Sequence, residues 1–169
     1  MLAMDCRSDW PRCQYERIRR PPQCGTSAAI GGHTPLMTDC MFCRIIAGES
    51  PAYVVAEDDR TLAFLDRGQA TEGHTLVVPR AHASDIWDIS EEEVTAVMVM
   101  AKRVAHLLEQ RLAPDGLNLT QSNRPAGWQD VFHFHLHVIP RWSGDGLVRP
   151  WRPTRPSDEQ LAATLARLQ

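Results

Sequence analysis

The sequence of 169 residues lacks any apolar run that approaches the roughly 20 residues needed to cross a bilayer. A stretch such as residues 97–101 is far too short, and residues 1–36 contain no apolar core of the kind that secretory signal peptides carry. A basic footprint is also absent, because the formal net charge is −3. We therefore expect no membrane partner and no nucleic-acid partner.

The number and spacing of the cysteines do not indicate a framework of disulfide bonds. Its five cysteines are an odd number, and the chain is longer than the small secreted scaffolds that depend on disulfides. Cys6, Cys13 and Cys24 follow no pattern, so we interpret them as free thiols. Cys40 and Cys43 form a Cys-x-x-Cys pair. This cysteine usage predicts a reducing compartment and a cytoplasmic protein.

The composition predicts one globular domain with tails. Hydrophobic residues make up 43% of the chain and charged residues 23%, which is ordinary for such a domain. Residues 1–36 carry scattered proline and glycine without periodicity, so we expect a disordered or loosely attached leader, with Met37 as a candidate for the physiological start. The domain is placed at residues 37–148. A C-terminal extension follows at residues 149–169, in which Ser157 opens a short helix through a capping box.

Periodicity predicts a short helix, three strands, a long helix and two further strands. The short helix covers residues 42–47, and the long helix opens at Ser90, which is expected to form a capping box with Glu93. Short links between neighbouring strands favour an α+β fold, in which the long helix covers a five-stranded antiparallel sheet. The first four strands are predicted at residues 53–57, 61–66, 74–79 and 117–121. The helical stripe predicted to face the core consists of Val94, Val97, Met98, Ala101, Val104, Ala105 and Leu108.

The fifth predicted strand carries three of the seven histidines of the chain. His133, His135 and His137 are separated by single apolar residues, and alternation of period two is typical of a half-buried strand. The three imidazoles are therefore predicted to share one face. The opposite, core-facing side is predicted to hold Phe132, Phe134, Leu136 and Val138.

Three interpretations of the histidine row are open from the residues alone. The row belongs to an ordinary sheet face, or it contributes one or two metal ligands, or its middle member is a nucleophile whose neighbours orient and protonate. A single metal bound by all three is disfavoured by geometry. The Cα atoms of His133 and His137 would lie about 13 Å apart on a strand, whereas a zinc–nitrogen bond is only about 2.0–2.1 Å long.

Several segments resemble the histidine-triad (HIT) proteins, in particular their bacterial Hint-like branch. The pattern His-x-His-x-His followed by two residues and Pro-Arg resembles the signature strand of this family. Residues 39–49, 64–66 and 72–82 resemble its opening segment and central strands, and the match continues in order to about residue 147. The resemblance implies a HIT-like fold, a homodimer and hydrolysis or transfer of nucleotides, with a purine nucleotide as substrate.

The resemblance also implies a role for each histidine of the site. His135 matches the nucleophile, whose Nε2 attacks an α-phosphorus and gives a nucleotidyl-histidine intermediate. His137 matches the residue that helps to protonate the leaving group. His133 completes the triad, and His74 matches a fourth histidine that supports it from a neighbouring strand. For His74 alone, a structural strand histidine is the alternative.

Nucleotide-binding residues are implied in the same way. Phe64 matches a residue that lines the base pocket, and Asp66 matches a carboxylate that binds the ribose hydroxyls. Asn123 and Gln129 match donors to phosphate oxygens, and Asp130 stands where several members have a serine or threonine that contacts phosphate. The alternatives are a core aromatic for Phe64, a solvated turn residue for Asp66 and ordinary loop residues for the two amides.

Three positions depart from the family pattern. Trp128 stands before Gln129 where glycine is usual, Asp130 replaces a hydroxyl residue, and Arg67 stands where an apolar base contact is common. A carboxylate at position 130 would repel a phosphate unless it points away. These departures put the leaving group in doubt and leave the nucleophile unaffected.

A structural zinc site is implied by resemblance to a subset of the family. Cys40, Cys43, His82 and His133 would form a Cys₂His₂ set, which suits tetrahedral zinc. The assignment would give His133 a task distinct from that of His135. The alternative is that the two cysteines are small buried apolar residues.

The sequence therefore predicts an enzyme, namely a cytoplasmic nucleotide hydrolase that cleaves nucleoside 5′-phosphoramidates or related nucleotidyl conjugates through His135. A dinucleoside polyphosphate hydrolase or phosphorylase on the same scaffold is the second enzyme hypothesis. A nucleotide-binding module with negligible turnover stays open as well, since fold does not fix function. A zinc hydrolase that uses the histidines directly is the remaining alternative.

Overall fold

Five antiparallel strands form one sheet in the order β1-β2-β3-β5-β4, as the computed structural model of residues 40–169 shows. The predicted α+β class and five-stranded antiparallel sheet are confirmed. The predictions for residues 1–36 and for Met37 lie outside the described residues. In chain order the elements are α1 (Met41–Ile46), β1 (Val54–Glu57), β2 (Thr61–Leu65), β3 (Thr75–Pro79), α2 (Glu91–Leu112), β4 (Gly116–Thr120), β5 (Leu136–Arg141) and α3 (Asp158–Leu168).

Helix α2 covers one face of the sheet with an apolar stripe that differs slightly from the predicted one. Met100 is 1% exposed and belongs to the core, whereas Met98 is 49% exposed. The spacing explains this difference, because Met100 follows Val97 by three positions and so lies on the same side of the helix. Met98 is one position from Val97 and turns about 100° away. Among residues 40–169, no helix is long and apolar enough to cross a membrane.

The N-terminus of α2 is capped on one side only. Ser90 Oγ accepts a hydrogen bond from the backbone N–H of Glu93 at 3.2 Å, as predicted. The reciprocal bond of the predicted capping box is not formed, because the Glu93 carboxylate instead accepts from the guanidinium of Arg60 at 2.8 Å. In the bond that forms, both the donor and the acceptor are ionised, which strengthens a hydrogen bond. In α3, by contrast, both bonds of the capping box are present between Ser157 and Gln160.

The predicted histidine strand is shorter than expected. Strand β5 begins at Leu136, so His137 lies within the strand, whereas His133 and His135 precede it. The backbone leaves the ladder there because the N–H of His133 bonds back to Val131 and the N–H of Phe134 donates to the carbonyl of Ala83. The alternation of side chains survives for the residues at positions 134, 136 and 138, which are buried in the core, but Phe132 is 51% exposed.

Gly73 brings the chain into β3 close to the end of α2. Its φ is +81°, and a Cβ at this position would lie 2.6 Å from Cδ1 of Leu112 and 3.0 Å from Cδ2 of Leu108. Only glycine meets both conditions without strain. The turn thereby delivers His74 to the start of β3, next to β5.

Candidate active site and metal centre

Four imidazoles meet where β3 and β5 run side by side. His137 pairs with Leu76 of β3 on one side and with Thr120 of β4 on the other. The ring centroids of His135 and His137 are 5.0 Å apart, and those of His74 and His137 are 5.1 Å apart. His133, His135 and His74 are buried, while the side chain of His137 keeps 23% of its surface exposed. The structure therefore brings all four predicted histidines together.

The hydrogen bond of His135 fixes its tautomer. Its Nδ1 lies 2.7 Å from the backbone carbonyl oxygen of His133. A carbonyl oxygen only accepts, so Nδ1 carries the proton and donates it. The Nε2 atom of neutral His135 therefore holds a lone pair, which is the chemical form that a nucleophilic imidazole needs.

A second hydrogen-bonded chain fixes the tautomer of His137 in the opposite sense. The backbone N–H of Ala70 donates to Nδ1 of His74 at 3.2 Å, so the proton of this neutral ring is on Nε2. The Nε2 atom of His74 lies 2.9 Å from Nδ1 of His137 and donates to it. The proton of His137 is consequently on Nε2. The site thus presents a lone pair on His135 and an N–H donor on His137.

Burial keeps the two supporting imidazoles neutral. It lowers the pKa of His137 to about 4, and the neighbouring charges of His135 and His74 act in the same direction, while Asp66 opposes them. Burial also lowers the pKa of His74, against the opposing effects of Asp66 and the backbone of Gly68. A neutral His137 keeps its Nε2 proton at neutral pH and can donate a hydrogen bond through it.

The depressed pKa of His137 predicts a loss of stability in acid. In the unfolded chain a histidine gains its proton near pH 6.5, about the ordinary value, whereas folded His137 gains it only near pH 4. Between these values the unfolded state binds more protons, so the free energy of unfolding falls as the pH is lowered, by at most about 1.4 kcal/mol per pH unit from this residue.

Urea denaturation across this pH range measures the effect. His137→Gln should flatten the dependence between pH 6.5 and 4. His106→Gln is the matched control, because His106 lies on the surface of α2 with 62% of its side chain exposed. An equally steep pH dependence in His137→Gln and the parent protein would contradict the prediction.

Asp66 lies beside the paired imidazoles, directly after β2. Its Oδ2 is 3.6 Å from Nε2 of His74 and 4.0 Å from Nδ1 of His137, and its Oδ1 accepts from the N–H of Gly68 at 2.8 Å. Phe64 is placed differently, because its ring is 4% exposed and packs in an apolar cluster against Phe42. The structure therefore joins Asp66 to the histidine cluster and places Phe64 in the core.

Gln129 does not offer the free donors that were predicted for it. It is 3% exposed, and its Nε2 donates to the carbonyls of Ser84 at 2.6 Å and Val131 at 3.0 Å. Its Oε1 accepts from the N–H of Arg124 at 2.7 Å. A primary amide has two N–H groups, and both are used here to join two loops. Donation to a phosphate would require one of these bonds to break.

Asn123 keeps part of its donor capacity. Its Oδ1 accepts from the N–H of Ile86 at 2.8 Å, and its Nδ2 donates to Oε1 of Gln121 at 2.5 Å. One N–H of the amide is left for another acceptor. The same bonds fix the loop that contains Ile86 against the loop that contains Asn123.

The structure does not bring Asp130 to the histidines. Asp130 is exposed and lines a surface pocket that contains none of the four imidazoles. The predicted nucleotide contact by this residue is therefore not supported by its position. The other residues that line this pocket are Cys40, Met41, Val131 and Phe132.

The loop before Gln129 contains two strained non-glycine residues. Arg124 has φ of 62° and Trp128 has φ of 67°, in the region that favours glycine. Arg124 is held by Asp85, whose Oδ2 lies 3.1 Å from its Nε, and by Trp87, whose ring centroid lies 4.1 Å from its Cζ. Sequence reasoning missed this stack, because an exposed arginine and a tryptophan 37 positions away carry no local signal.

Replacing Trp128 with glycine should stabilise the protein. A left-handed conformation costs a non-glycine residue about 1–2 kcal/mol, and the indole is 65% exposed, so little burial is lost. Glycine in turn destabilises the folded state by roughly 0.5–1 kcal/mol, because it has more conformational freedom to lose from the unfolded chain. We expect a gain of up to about 1 kcal/mol in urea unfolding.

The matched control for that substitution is Trp87→Gly. Trp87 is 67% exposed like Trp128, but its φ is not positive. This variant relieves no strain and loses the contact with Arg124, so it should be less stable than the parent. Equal destabilisation of both variants would show that the conformation of Trp128 is not strained.

Two thiols and two imidazoles form a second cluster next to the triad. Nδ1 of His133 lies 3.6 Å from Sγ of Cys40, 3.5 Å from Sγ of Cys43 and 3.2 Å from Nδ1 of His82. Sγ of Cys43 is 3.3 Å from Nδ1 of His82. Tetrahedral zinc bonds of about 2.0–2.3 Å place ligand atoms roughly 3.3–3.8 Å apart, so the four atoms are close to the required spacing.

The surroundings of this cluster also suit a cation. Nε2 of His133 donates to the carbonyl of Pro79 at 3.0 Å, which leaves the Nδ1 lone pair directed at the thiols. Without a cation, burial raises the pKa of Cys43 to about 11, with the hydrogen bond and charge of Cys40 adding to it. A bound metal ion would reverse that effect by stabilising the thiolate. Four protein ligands make a closed, structural kind of site.

The group formed by Asp66, His74 and His137 also has the composition of a metal site. Its hydrogen bonds argue for another role. Nδ1 of His74 already accepts from Ala70, so its Nε2 carries a proton and has no lone pair for a metal. Of the two clusters, the one with the thiols fits zinc.

Comparison with known proteins agrees with this geometry. Residues 47–144 match the model of the HIT domain. Protein hit of Bacillus subtilis (strain 168) is 39% identical over 115 residues, which are 68% of this chain and 79% of the relative. Several other similar proteins, including one from Methanocaldococcus jannaschii that is 42% identical over 109 residues (64% of this chain, 84% of the relative), are described only as HIT-like.

Solved structures give the same result. A HIT family protein from Bacillus anthracis superposes with a TM-score of 0.71 at 36% identity and covers 78% of this chain and 98% of its own. A Zn-bound histidine triad family protein from Mycobacterium smegmatis has a TM-score of 0.64 at 38% identity and covers 78% and 96%. A histidine triad nucleotide-binding protein from Candida albicans has a TM-score of 0.71 at 27% identity and covers 77% and 94%. The predicted resemblance is therefore confirmed, and the chain belongs to the HIT family, whose membership supports a nucleotide-binding or hydrolase-type function.

Proposed function

We propose that the protein is a hydrolase that cleaves nucleoside 5′-phosphoramidates or related nucleotidyl conjugates through a nucleotidyl-histidine intermediate on His135. The observation that carries the proposal is the hydrogen bond from Nδ1 of His135 to the carbonyl of His133, 2.7 Å long. It leaves a lone pair on Nε2, beside a second imidazole that carries its proton on Nε2.

The proposed reaction has two steps. In the first, the Nε2 lone pair of His135 forms a bond to the α-phosphorus while the bond from phosphorus to the leaving group breaks. The negative charge of the bound phosphate favours a second proton on His137, and the leaving group takes the Nε2 proton of that imidazolium. In the second, water attacks the phosphorus, the N–P bond breaks, and the proton of the water restores His137. Nδ1 of His135 keeps its proton and donates it to the carbonyl oxygen of His133 throughout, which stabilises the positive charge on the substituted ring.

The nucleoside is proposed to bind beside the same histidines. Asp66 supports this, because its carboxylate stands next to His74 and His137 and is able to accept from two ribose hydroxyls. The nucleotide-binding relative from Candida albicans supports a nucleotide ligand. The preference for a purine base is inferred from the family resemblance.

A zinc ion is proposed as a structural cofactor held by Cys40, Cys43, His82 and His133. The spacing of their ligand atoms supports this, as does the Zn-bound relative from Mycobacterium smegmatis. When bound, the ion would supply rigidity by joining α1 to the triad segment. The proposed reaction itself uses only imidazoles and water.

We also propose a cytoplasmic homodimer. Strand β4 lies at the edge of the sheet with four of its five residues exposed, including Leu119 at 43%. An edge strand presents unpaired backbone groups that a second copy is able to pair with. The cysteine usage favours a reducing compartment.

A substrate panel tests the proposed function. AMP-morpholidate should be hydrolysed to AMP, with diadenosine polyphosphates turned over more slowly and inorganic phosphate having no effect. A preference for diadenosine polyphosphates would favour the polyphosphate hydrolase, and phosphate-dependent cleavage would favour the phosphorylase. Binding of AMP without turnover of any of these compounds would identify a nucleotide-binding module and reject the proposal.

A further inference from the structure

Helix α1 contacts the proposed nucleophile as well as the metal cluster. Phe42 lies between Cys40 and Cys43 and is 5% exposed. Its ring centroid is 5.3 Å from that of His135 at an interplanar angle of 81°, and 5.9 Å from that of His133 at 72°. Both are edge-to-face contacts, which aromatic rings favour. One side chain of the Cys-x-x-Cys segment therefore packs against two members of the triad.

His133 makes a second connection between the same two places. Its side chain directs Nδ1 at the thiols, while its Nε2 is fixed on the carbonyl of Pro79. Its backbone carbonyl accepts the Nδ1 proton of His135. A shift of His133 towards or away from the cluster therefore moves the only acceptor to which His135 is bonded among residues 40–169.

The orientation of His135 depends on packing for a simple reason. One hydrogen bond at Nδ1 fixes the tautomer only while it stays short, and without lateral contacts the ring can tilt until that bond weakens. Phe42 at 5.3 Å and His137 at 5.0 Å are the ring contacts that limit this tilt. Displacement of a reacting atom by about 1 Å is enough to cost roughly 100-fold in rate.

Helix α1 is also poorly suited to hold Phe42 by itself. It has six residues, and its N-terminal residue Cys40 makes no side-chain capping bond. Isolated helices shorter than about 12 residues are marginal in water. The position of Phe42 therefore depends on tertiary packing and on the interactions that fix the thiols of Cys40 and Cys43.

We propose that Phe42 is a positioning residue for His135, and that a metal ion in the Cys40–Cys43–His82–His133 cluster controls the orientation of His135 through Phe42 and His133. The catalytic consequence rests on the proposed function. Metal occupancy would then regulate the reactivity of the site in addition to stabilising the fold.

Imidazole nitrogen NMR on ¹⁵N-histidine-labelled full-length protein reads this orientation without any substrate. The metal-loaded parent should show His135 as a single Nδ1–H tautomer. Phe42→Leu and the metal-stripped parent should show exchange-broadened or mixed signals for His135. Leu62→Ala is the matched control, because Leu62 belongs to the same apolar cluster and makes no ring contact with a histidine; it should keep the parent signal.

Single-turnover kinetics with AMP-morpholidate supply the second readout. Formation of the nucleotidyl-histidine should slow roughly 10- to 100-fold in Phe42→Leu, with little change in substrate affinity, and Leu62→Ala should keep the parent rate. An unchanged rate and tautomer in Phe42→Leu would overturn the proposal. A loss confined to substrate affinity would also overturn it, because Phe42 would then be a nucleotide contact.

The proposed control of His135 by the metal ion can be contradicted separately from the role of Phe42. If stripping the metal lowers the melting temperature but leaves the His135 signal unchanged, the cluster only joins segments of the fold, and the proposed control of His135 is wrong. If the parent forms no nucleotide adduct, the proposed function fails, whereas the NMR comparison still decides whether Phe42 and the metal position the ring.

Discussion

Replacing His135 with alanine should lower hydrolysis of AMP-morpholidate by at least about 10³-fold, as losses of a nucleophile do in other enzymes. The expected cause is the loss of the imidazole whose Nε2 lone pair is fixed by the backbone acceptor at His133. Circular dichroism should show a folded protein. His106→Ala serves as the matched control, since His106 is exposed on α2 and should leave the rate unchanged.

The effect of replacing the neighbouring His137 should depend on the leaving group. His137→Gln removes the proton donor. General acid catalysis typically contributes 10²- to 10⁴-fold to the rate, and the fall in rate within this range depends on how readily the leaving group departs without a proton. The deficit should shrink with a leaving group that needs no protonation. Parent-like turnover by His135→Ala would reject covalent catalysis at that residue.

Loss of the metal site should have the second largest effect, on stability. The protein purified without chelators should contain one zinc per chain, and Cys43→Ser should contain little. Zinc held at 1,000 times its dissociation constant would stabilise the folded state by about 4 kcal/mol, so at that excess the free energy of unfolding should be lower by about this amount in the variant. For a chain of this size, 1 kcal/mol corresponds to roughly 2–4 °C in melting temperature.

His74→Ala separates the two candidate clusters. His74 belongs to the group with Asp66 and His137, whose hydrogen bonds leave no lone pair for a metal on His74. This variant should keep its full zinc content. Zinc near zero in the parent protein, or full zinc in Cys43→Ser, would contradict the assignment of the site.

The sheet and its helix were predictable because their signals are local. Alternation around Leu136 and the helical stripe around Val104 reflect periodicities that a short window contains. The errors arose where a tertiary partner decided the outcome. Glu93 bonds to Arg60 instead of completing its capping box, and the backbone of Phe134 bonds to Ala83 instead of extending β5.

The candidate site shows the same division. The spacing of the histidines was enough to predict the triad. It does not reveal that both N–H groups of Gln129 donate to backbone carbonyls of neighbouring loops, or that Asp130 lines another pocket. Nor does it reveal that Phe42 touches His135, because the two residues are 93 positions apart. The domain bounds 37–148 and the roles of the individual site residues stay predictions.

The most direct test of the covalent mechanism is peptide mass spectrometry on protein that has been mixed with AMP-morpholidate and quenched in denaturant within one turnover. We predict one nucleotidyl group on the peptide that contains residues 133–137, bonded to His135, and none on the same peptide of His135→Ala. An unmodified peptide during active turnover, or a nucleotidyl group on another residue, would contradict the account.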